Sequence, residues 1–229
     1  MFASAVPFLA IEIIKGEVME NFVSILIILG LTLISYGIGC FSTARFIAKS
    51  FKSLNIYKVG TGHPDTQNIY SNIGKILGVF AGLVDFTKVY FYLILLKFVF
   101  NQSEIVDIVG DVGSEELLFV YGFGMILGHC LPVTHRFKGG RGLFTYMGFI
   151  AFFVPFPIII VAILTVIFIL VFKQIRFAQY MIVILPPFII SFFGKFLGYN
   201  LELDTRIFVV AAIMMAVINV VVSKKKGEI

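Results

Sequence analysis

Apolar residues gather in seven runs, at about 22–41, 76–100, 117–135, 143–156, 157–172, 177–194 and 207–223. A helix needs roughly 20 apolar residues to cross a bilayer, so most of these runs predict membrane-spanning helices. Polar positions collect in the connections, and the sign of their charge alternates. The segment after the first run carries Arg45, Lys49, Lys52, Lys58 and Lys75. The next connection, Asn101 to Glu116, has no Lys or Arg and holds Glu104, Asp107, Asp111, Glu115 and Glu116. Arg136, Lys138 and Arg141 come after it, then Lys173 and Arg176, and the tail carries Lys224, Lys225 and Lys226. Positive charge favours the cytoplasmic face, so this alternation predicts about seven spans, with the N-terminus outside and the C-terminus in the cytoplasm.

Two stretches depart from this alternation. Leu143 to Phe172 has basic residues at both ends, which requires the chain to return to the same side. Pro155 and Pro157 supply a break in the helical ladder. Two short spans or a re-entrant hairpin are expected there. Residues 1–21 read as a short extracytoplasmic segment, because Met1 to Ala10 is too short to span. No basic leader with a cleavage site precedes the first run, which argues against a signal peptide.

Composition agrees with a lipid-embedded chain. Of 229 residues, 59% are hydrophobic and 14% charged, against about 25% charged in a soluble domain. The fold class predicted is an all-α integral membrane protein with two polar cytoplasmic-side loops, forming one polytopic domain over residues 1–229. The net charge of +5 does not point to nucleic acid, since the cations sit in loops where anionic lipid and the positive-inside bias account for them. Cys40 and Cys130 are single residues in or beside apolar runs, so neither a structural disulfide nor a metal site is expected.

The strongest chemical signal is Gly128-His129-Cys130-Leu131-Pro132-Val133-Thr134-His135-Arg136-Phe137-Lys138-Gly139-Gly140-Arg141-Gly142. Glycines leave backbone N–H groups uncovered, and two cations flank them, which is the chemistry of a phosphate or oxyanion cradle. Lys138 and Arg141 also have a plainer reading as topology-setting charges. A second polar loop, Val59-Gly60-Thr61-Gly62-His63-Pro64-Asp65-Thr66-Gln67-Asn68, runs towards Gly74-Lys75 at the start of the second apolar run. Such a loop can hold an anion at a helix N-terminus, although Gly, Pro and Asn also gather wherever a chain must turn. Charge counting places both loops on one membrane face, where they can bracket a phosphorylated, partly apolar substrate.

The Gly-His-x-x-Pro-Val…Phe-Lys-Gly-Gly-Arg-Gly string resembles the second motif of the bacterial membrane acyltransferases of the PlsY family, which reads Gly-His-x-x-Pro-Val…Phe-Lys-Gly-Gly-Lys-Gly. Gly39, Gly60-Thr61-Gly62…Asn68, Gly74-Lys75 and Asp85-x-x-Lys88 also fall at that family's spacing. The resemblance implies a fold with seven spans. It also implies transfer of a fatty acyl group from acyl phosphate to glycerol 3-phosphate, giving lysophosphatidate and phosphate for phospholipid biosynthesis in the bacterial plasma membrane. No metal, coenzyme A or other cofactor is implied. Acyl phosphate, glycerol 3-phosphate and membrane lipid are the expected partners, and oligomeric state is left open. His129 is implied as the catalytic residue. Gly60, Gly62, His63, Asn68, Lys75, Lys138, Gly139, Gly140, Arg141 and Gly142 are implied as substrate-binding residues.

The chain departs from the pattern in places. The family's Gly-Ser turn is Gly39-Cys40, its loop asparagine is His63, its second loop glycine is Asp65, and its Ala-Thr is Thr66-Gln67. Two arginines are replaced by Tyr57 and Ser71. The third motif, Ser-Leu-Ala-Ser, falls at Gln179-Tyr180-Met181-Ile182, and the C-terminal motif has no counterpart beyond Asn219 and the lysines. Asp65 is expected to repel a phosphate unless a cation neutralises it, with His63, Lys58 and Lys75 as the candidate partners. Cys130 reads as a small apolar residue in preference to a nucleophile. Asp85 and Lys88 read as a structural i,i+3 pair, Arg136 as a headgroup residue, and Lys97 as snorkelling at the opposite interface. Phe152, Phe153 and Phe156 are candidates to line an acyl slot. The alternative function is a non-catalytic or redirected homologue that binds a lipid phosphate. A small transporter fits less well, because intramembrane charges are few and no inverted repeat is visible.

Overall fold

The structure, a computed structural model, describes residues 5–102, 111–194, 196 and 203–224. Helices form in all seven apolar runs. The first, α1 (Ala5–Gly39), is followed by two short helices of the first polar segment, α2 (Thr43–Lys52) and α3 (Thr66–Asn72). Next come α4 (Lys75–Phe100), α5 (Glu115–Cys130), α6 (Leu143–Phe153), α7 (Pro155–Leu170), α8 (Ile175–Phe193) and α9 (Thr205–Lys224). By length and apolar composition, Asn21–Lys52, Lys75–Phe100, Glu115–His135, Ile175–Phe193 and Thr205–Ser223 are sufficient to cross a membrane. The first helix also reaches back to Ala5, through the segment expected to precede the span.

The expected break in the 143–172 stretch falls at Val154, whose φ of −142° and ψ of 83° leave helical geometry. Pro155 then opens α7, where its missing N–H costs nothing. At 1.5 Å per residue, α6 is about 16 Å long and α7 about 24 Å, both short of a hydrocarbon core of roughly 30 Å.

Most of the exposed residues on the long helices are apolar, such as Leu29, Leu33, Phe91, Phe98 and Phe192, as a lipid-facing surface requires. The interior holds Leu93, Leu118, Tyr121, Tyr146, Phe149 and Phe208, all fully buried. Phe152 and Phe153 belong to an aromatic group there, with Phe153 packed against Phe119, Phe149 and Phe208. Lys97 pairs with Glu115 and lies over the Phe152 ring.

Small residues set a close helix contact between α1 and α5. A Cβ on Gly128 would run into the Tyr36 carbonyl and come within 3.0 Å of Gly39 Cα. The two backbones therefore touch, a contact that glycine permits within a membrane. Tyr36 anchors the chain just beyond α5, since its hydroxyl donates to the Leu131 carbonyl at 2.7 Å and accepts from Val133 N–H at 3.0 Å. A hydrogen bond of 2.7 Å between the Ser35 and Tyr92 hydroxyls ties α1 to α4. The glycine turn thus leaves a corner where α1, α4 and α5 are tied together.

Candidate functional site

His129 occupies the last turn of α5 and is buried. The chain then passes through Arg136 and Phe137, both in left-handed conformation, and folds back under that helix end. Gly140 N–H donates to the His129 carbonyl at 3.2 Å. Only glycine fits here, because a Cβ would lie 2.7 Å from His129 Nε2 and 2.8 Å from the Pro64 carbonyl oxygen. That one position brings the end of α5, the glycine turn and the first polar loop together. Gly142, at φ 71°, then turns the chain into α6.

The first loop is held largely by itself. Gly60 and Gly62 have positive φ, and Gly62 N–H donates to the Val59 carbonyl at 2.8 Å. Asn68 spends its amide on the loop, donating to the carbonyls of Val59 and His63 at 2.9 Å each. Its buried side chain, and that of His63, shape the loop. Asp65 caps α3, with Oδ1 accepting Asn68 N–H at 2.9 Å.

The cation that meets Asp65 is Arg141, a partner not among those expected. Arg141 Nε lies 3.8 Å from Asp65 Oδ2, and Nη1 donates to Gln67 Oε1 at 2.7 Å. Gln179, from α8, donates to the same Gln67 oxygen at 2.5 Å. Three distant segments are thereby joined around one guanidinium.

These groups line one end of a cavity of about 360 Å³. Asp65, Gln67, Asp85, His129 and Arg141 contribute its polar end, while Val166, Ile169 and Leu170 of α7 and Ile175 and Ile182 of α8 form its apolar wall. Phe152, Phe153 and Phe156 are not part of that wall, and the first two pack in the aromatic group described above. Lys138 also stands apart. It lines a separate surface hollow with Tyr57, Thr134, His135 and Arg136, and its carbonyl accepts from the Tyr57 hydroxyl at 2.9 Å. The two left-handed residues preceding it send Lys138 and Arg141 to different places. Lys75, at the start of α4, is exposed and outside the cavity lining. Of the expected binding residues, the structure brings Gly139, Gly140, Arg141 and Gly142 to His129, and it places Gly60, Gly62, His63 and Asn68 in the adjoining loop.

A buried polar cluster completes the site. Lys88 Nζ lies 3.1 Å from Asp85 Oδ1 and 3.1 Å from His129 Nδ1. Thr43 donates to Asp85 Oδ1 at 2.9 Å. The pair expected to be structural therefore abuts the candidate catalytic histidine. The signal for this was in the sequence: charges inside an apolar run are costly and mark functional sites. Thr43 and Gln179 carried no comparable signal. The described residues hold no cluster of three or more His, Cys, Asp or Glu side chains suited to a metal ion.

Fold and site together define a multi-pass helical membrane protein, with a polar, cation-bearing pocket that opens along an apolar wall. A model of the glycerol-3-phosphate acyltransferase family matches residues 29–228, and the chain belongs to that family. It is 35% identical over 112 residues to glycerol-3-phosphate acyltransferase 1 of Lactobacillus acidophilus, a match covering 49% of each protein. The chain thus spans about half the length of that relative. The glycerol-3-phosphate acyltransferase of Bartonella henselae is 26% identical over 176 residues, covering 76% of this chain and 77% of the relative. Among solved structures, the glycerol 3-phosphate form of PlsY, an integral membrane glycerol 3-phosphate acyltransferase, superposes with a TM-score of 0.66 at 22% identity. That likeness covers 86% of this chain and 88% of the other, and it is one of fold.

Proposed function

We propose that the protein transfers a fatty acyl group from acyl phosphate to the 1-hydroxyl of glycerol 3-phosphate, releasing lysophosphatidate and phosphate. The observation that carries this reading is a cavity that joins Gly142 of the glycine turn, Arg141 and His129 to an apolar wall built by α7 and α8. Acyl phosphate is already activated, so the site has mainly to align two anions and to stabilise the oxyanion that forms on the acyl carbonyl. The hydroxyl oxygen bonds to the acyl carbon, the acyl–phosphate C–O bond breaks, and the hydroxyl proton leaves with the phosphate. Arg141 and the turn Gly139–Gly142 around it are assigned to phosphate, apart from the Gly140 N–H, which is spent on the His129 carbonyl, and His129 is assigned to the reacting carbonyl. Gly60, Gly62, His63 and Asn68 are assigned to the loop that closes the polar end. Lys75 and Lys138 serve as outlying charges that draw anions towards the cytoplasmic face. The alternating loop charge supports an N-terminus outside the cell and a C-terminus in the cytoplasm. Membrane lipid surrounds the apolar surface and receives the product.

Purified protein supplied with palmitoyl phosphate and radiolabelled glycerol 3-phosphate should form lysophosphatidate, with one phosphate released per product. Folded protein that yields no lysophosphatidate would overturn the assignment. One observation favours a second reading in that event: the Asp65 carboxylate at the polar end suits a redirected homologue that takes a less anionic acceptor.

A further inference from the structure

Lys88 is the hub of the polar cluster beside the cavity. A lysine ammonium has three N–H donors and no lone pair. Three acceptors surround it: Asp85 Oδ1 at 3.1 Å, His129 Nδ1 at 3.1 Å and the Phe41 carbonyl oxygen at 3.3 Å. All its donors are engaged by the protein, so Lys88 has none left for a substrate anion. Its neighbours hold it in place. Asp85 is anchored by Thr43, and the Lys88 and Asp85 side chains are only 12% and 3% exposed.

The consequence falls on His129. A nitrogen facing an ammonium at hydrogen-bond distance accepts, so Nδ1 carries the lone pair and the neutral ring carries its proton on Nε2. A protonated ring would set an N–H and a second positive charge against the same ammonium. Nε2 is the ring atom that the Gly140 position crowds, on the side of the glycine turn and the Pro64 carbonyl. Among the described residues no protein acceptor takes its proton, and His129 lines the cavity. Asp85 Oδ1 lies 3.8 Å from Nδ1. Without the lysine, that carboxylate would draw a proton onto Nδ1 and leave the lone pair on Nε2.

We propose that Lys88 is a positioning residue that holds His129 as the Nε2–H tautomer, making the histidine a hydrogen-bond donor to the oxygen that gathers negative charge. This rests on the acyl-transfer reading above for the identity of that oxygen. In this arrangement His129 does not take the proton of the attacking hydroxyl. As the acyl–phosphate bond breaks, that proton passes to the departing phosphate oxygen.

The tautomer is read directly by nitrogen NMR on detergent-solubilised protein with isotope-labelled histidine, subtracting the spectrum of His129→Gln to assign the signal. The expected wild-type pattern has Nδ1 unprotonated and Nε2 protonated. Lys88→Met should exchange the two, and Lys88→Arg, which keeps a donor, should preserve them. In turnover, Lys88→Met should lose roughly 10- to 100-fold in kcat, with KM for glycerol 3-phosphate within about threefold, the pattern of a lost oxyanion donor. Lys88→Arg should recover part of kcat. A wild-type proton on Nδ1, or an unchanged tautomer in folded Lys88→Met, would overturn the proposal. If Lys88→Met does not fold, the wild-type spectrum still decides. Should the wild-type protein show no turnover, the acyl-transfer reading fails while the spectrum tests the tautomer by itself.

Discussion

Asp65→Asn removes one charge at the polar end of the cavity, beside Arg141, while keeping the cap of α3. Asp65 Oδ1 accepts Asn68 N–H at 2.9 Å to cap α3, and an asparagine carbonyl performs the same task. What is lost is the negative charge 3.8 Å from Arg141 Nε. A phosphate held on the far side of that guanidinium would lie about 7 Å from the carboxylate, where each unit of its charge is repelled by about 2 kcal/mol at an effective dielectric near 20. That corresponds to roughly thirtyfold in affinity for each unit of phosphate charge, and mobile ions should reduce this to about tenfold per unit at physiological ionic strength. The assay is equilibrium binding of radiolabelled glycerol 3-phosphate to detergent-purified protein at low and high salt, with thermal melting alongside. Asp65→Asn should bind more tightly, with the gain shrinking as salt rises and with little change in melting. Asp65→Gly should also bind more tightly but melt lower, because it sacrifices a helix cap worth about 0.5–2 kcal/mol. If Asp65→Asn leaves affinity unchanged or weaker at low salt, the phosphate does not reside at Arg141 and the assignment of this guanidinium is wrong.

Two further expectations can be checked together. Gly140→Ala places a methyl carbon 2.7 Å from His129 Nε2 and 2.8 Å from the Pro64 carbonyl oxygen. Opening that contact should cost about 1–3 kcal/mol, seen as a lower melting temperature and roughly a 10- to 100-fold loss of turnover, and wild-type behaviour would refute the packing of the two loops. For topology, cysteines at Ser103, which lies outside the described residues, and at Ser223 are introduced into a background lacking Cys40 and Cys130. In intact cells an impermeant thiol reagent should label only the first, and labelling at Ser223 would reverse the assigned orientation.

The helices were legible because run length and lipid exposure act on each segment separately. The break before Pro155 was legible for the same reason, since one residue's missing N–H decides it locally. The start of α1 at Ala5 was not, because the polar residues Glu12, Lys15, Glu17 and Glu20 lie in that stretch and hide the continuous helix from a search for apolar runs. Within the site, the glycine turn and His129 were visible as a motif. The direction of a side chain was not. Lys138 and Arg141 look equivalent as charges, yet Arg136 and Phe137 in left-handed conformation send the first to a surface hollow and leave the second in the cavity. Asp85 and Lys88 could be paired by their spacing, but their third partner, His129, comes from another helix.

The departures from the resembled pattern read differently once the contacts are known. Taken one at a time, Asp65 for glycine, Gln67 for threonine, Arg141 for lysine and Gln179 for the first serine of the third motif look like separate losses. In the structure they touch: Arg141 approaches Asp65 at 3.8 Å and donates to Gln67 at 2.7 Å, and Gln179 donates to the same Gln67 oxygen at 2.5 Å. All four line the cavity. A lysine at 141 would present one compact ammonium, whereas arginine's planar fork serves a carboxylate and an amide oxygen at once. Glycine at 65 would leave that fork without its carboxylate, and a short hydroxyl residue at 67 would not span between Arg141 and α8. The replacements therefore satisfy one another as a set, and reverting a single member should break contacts that reverting all of them would not.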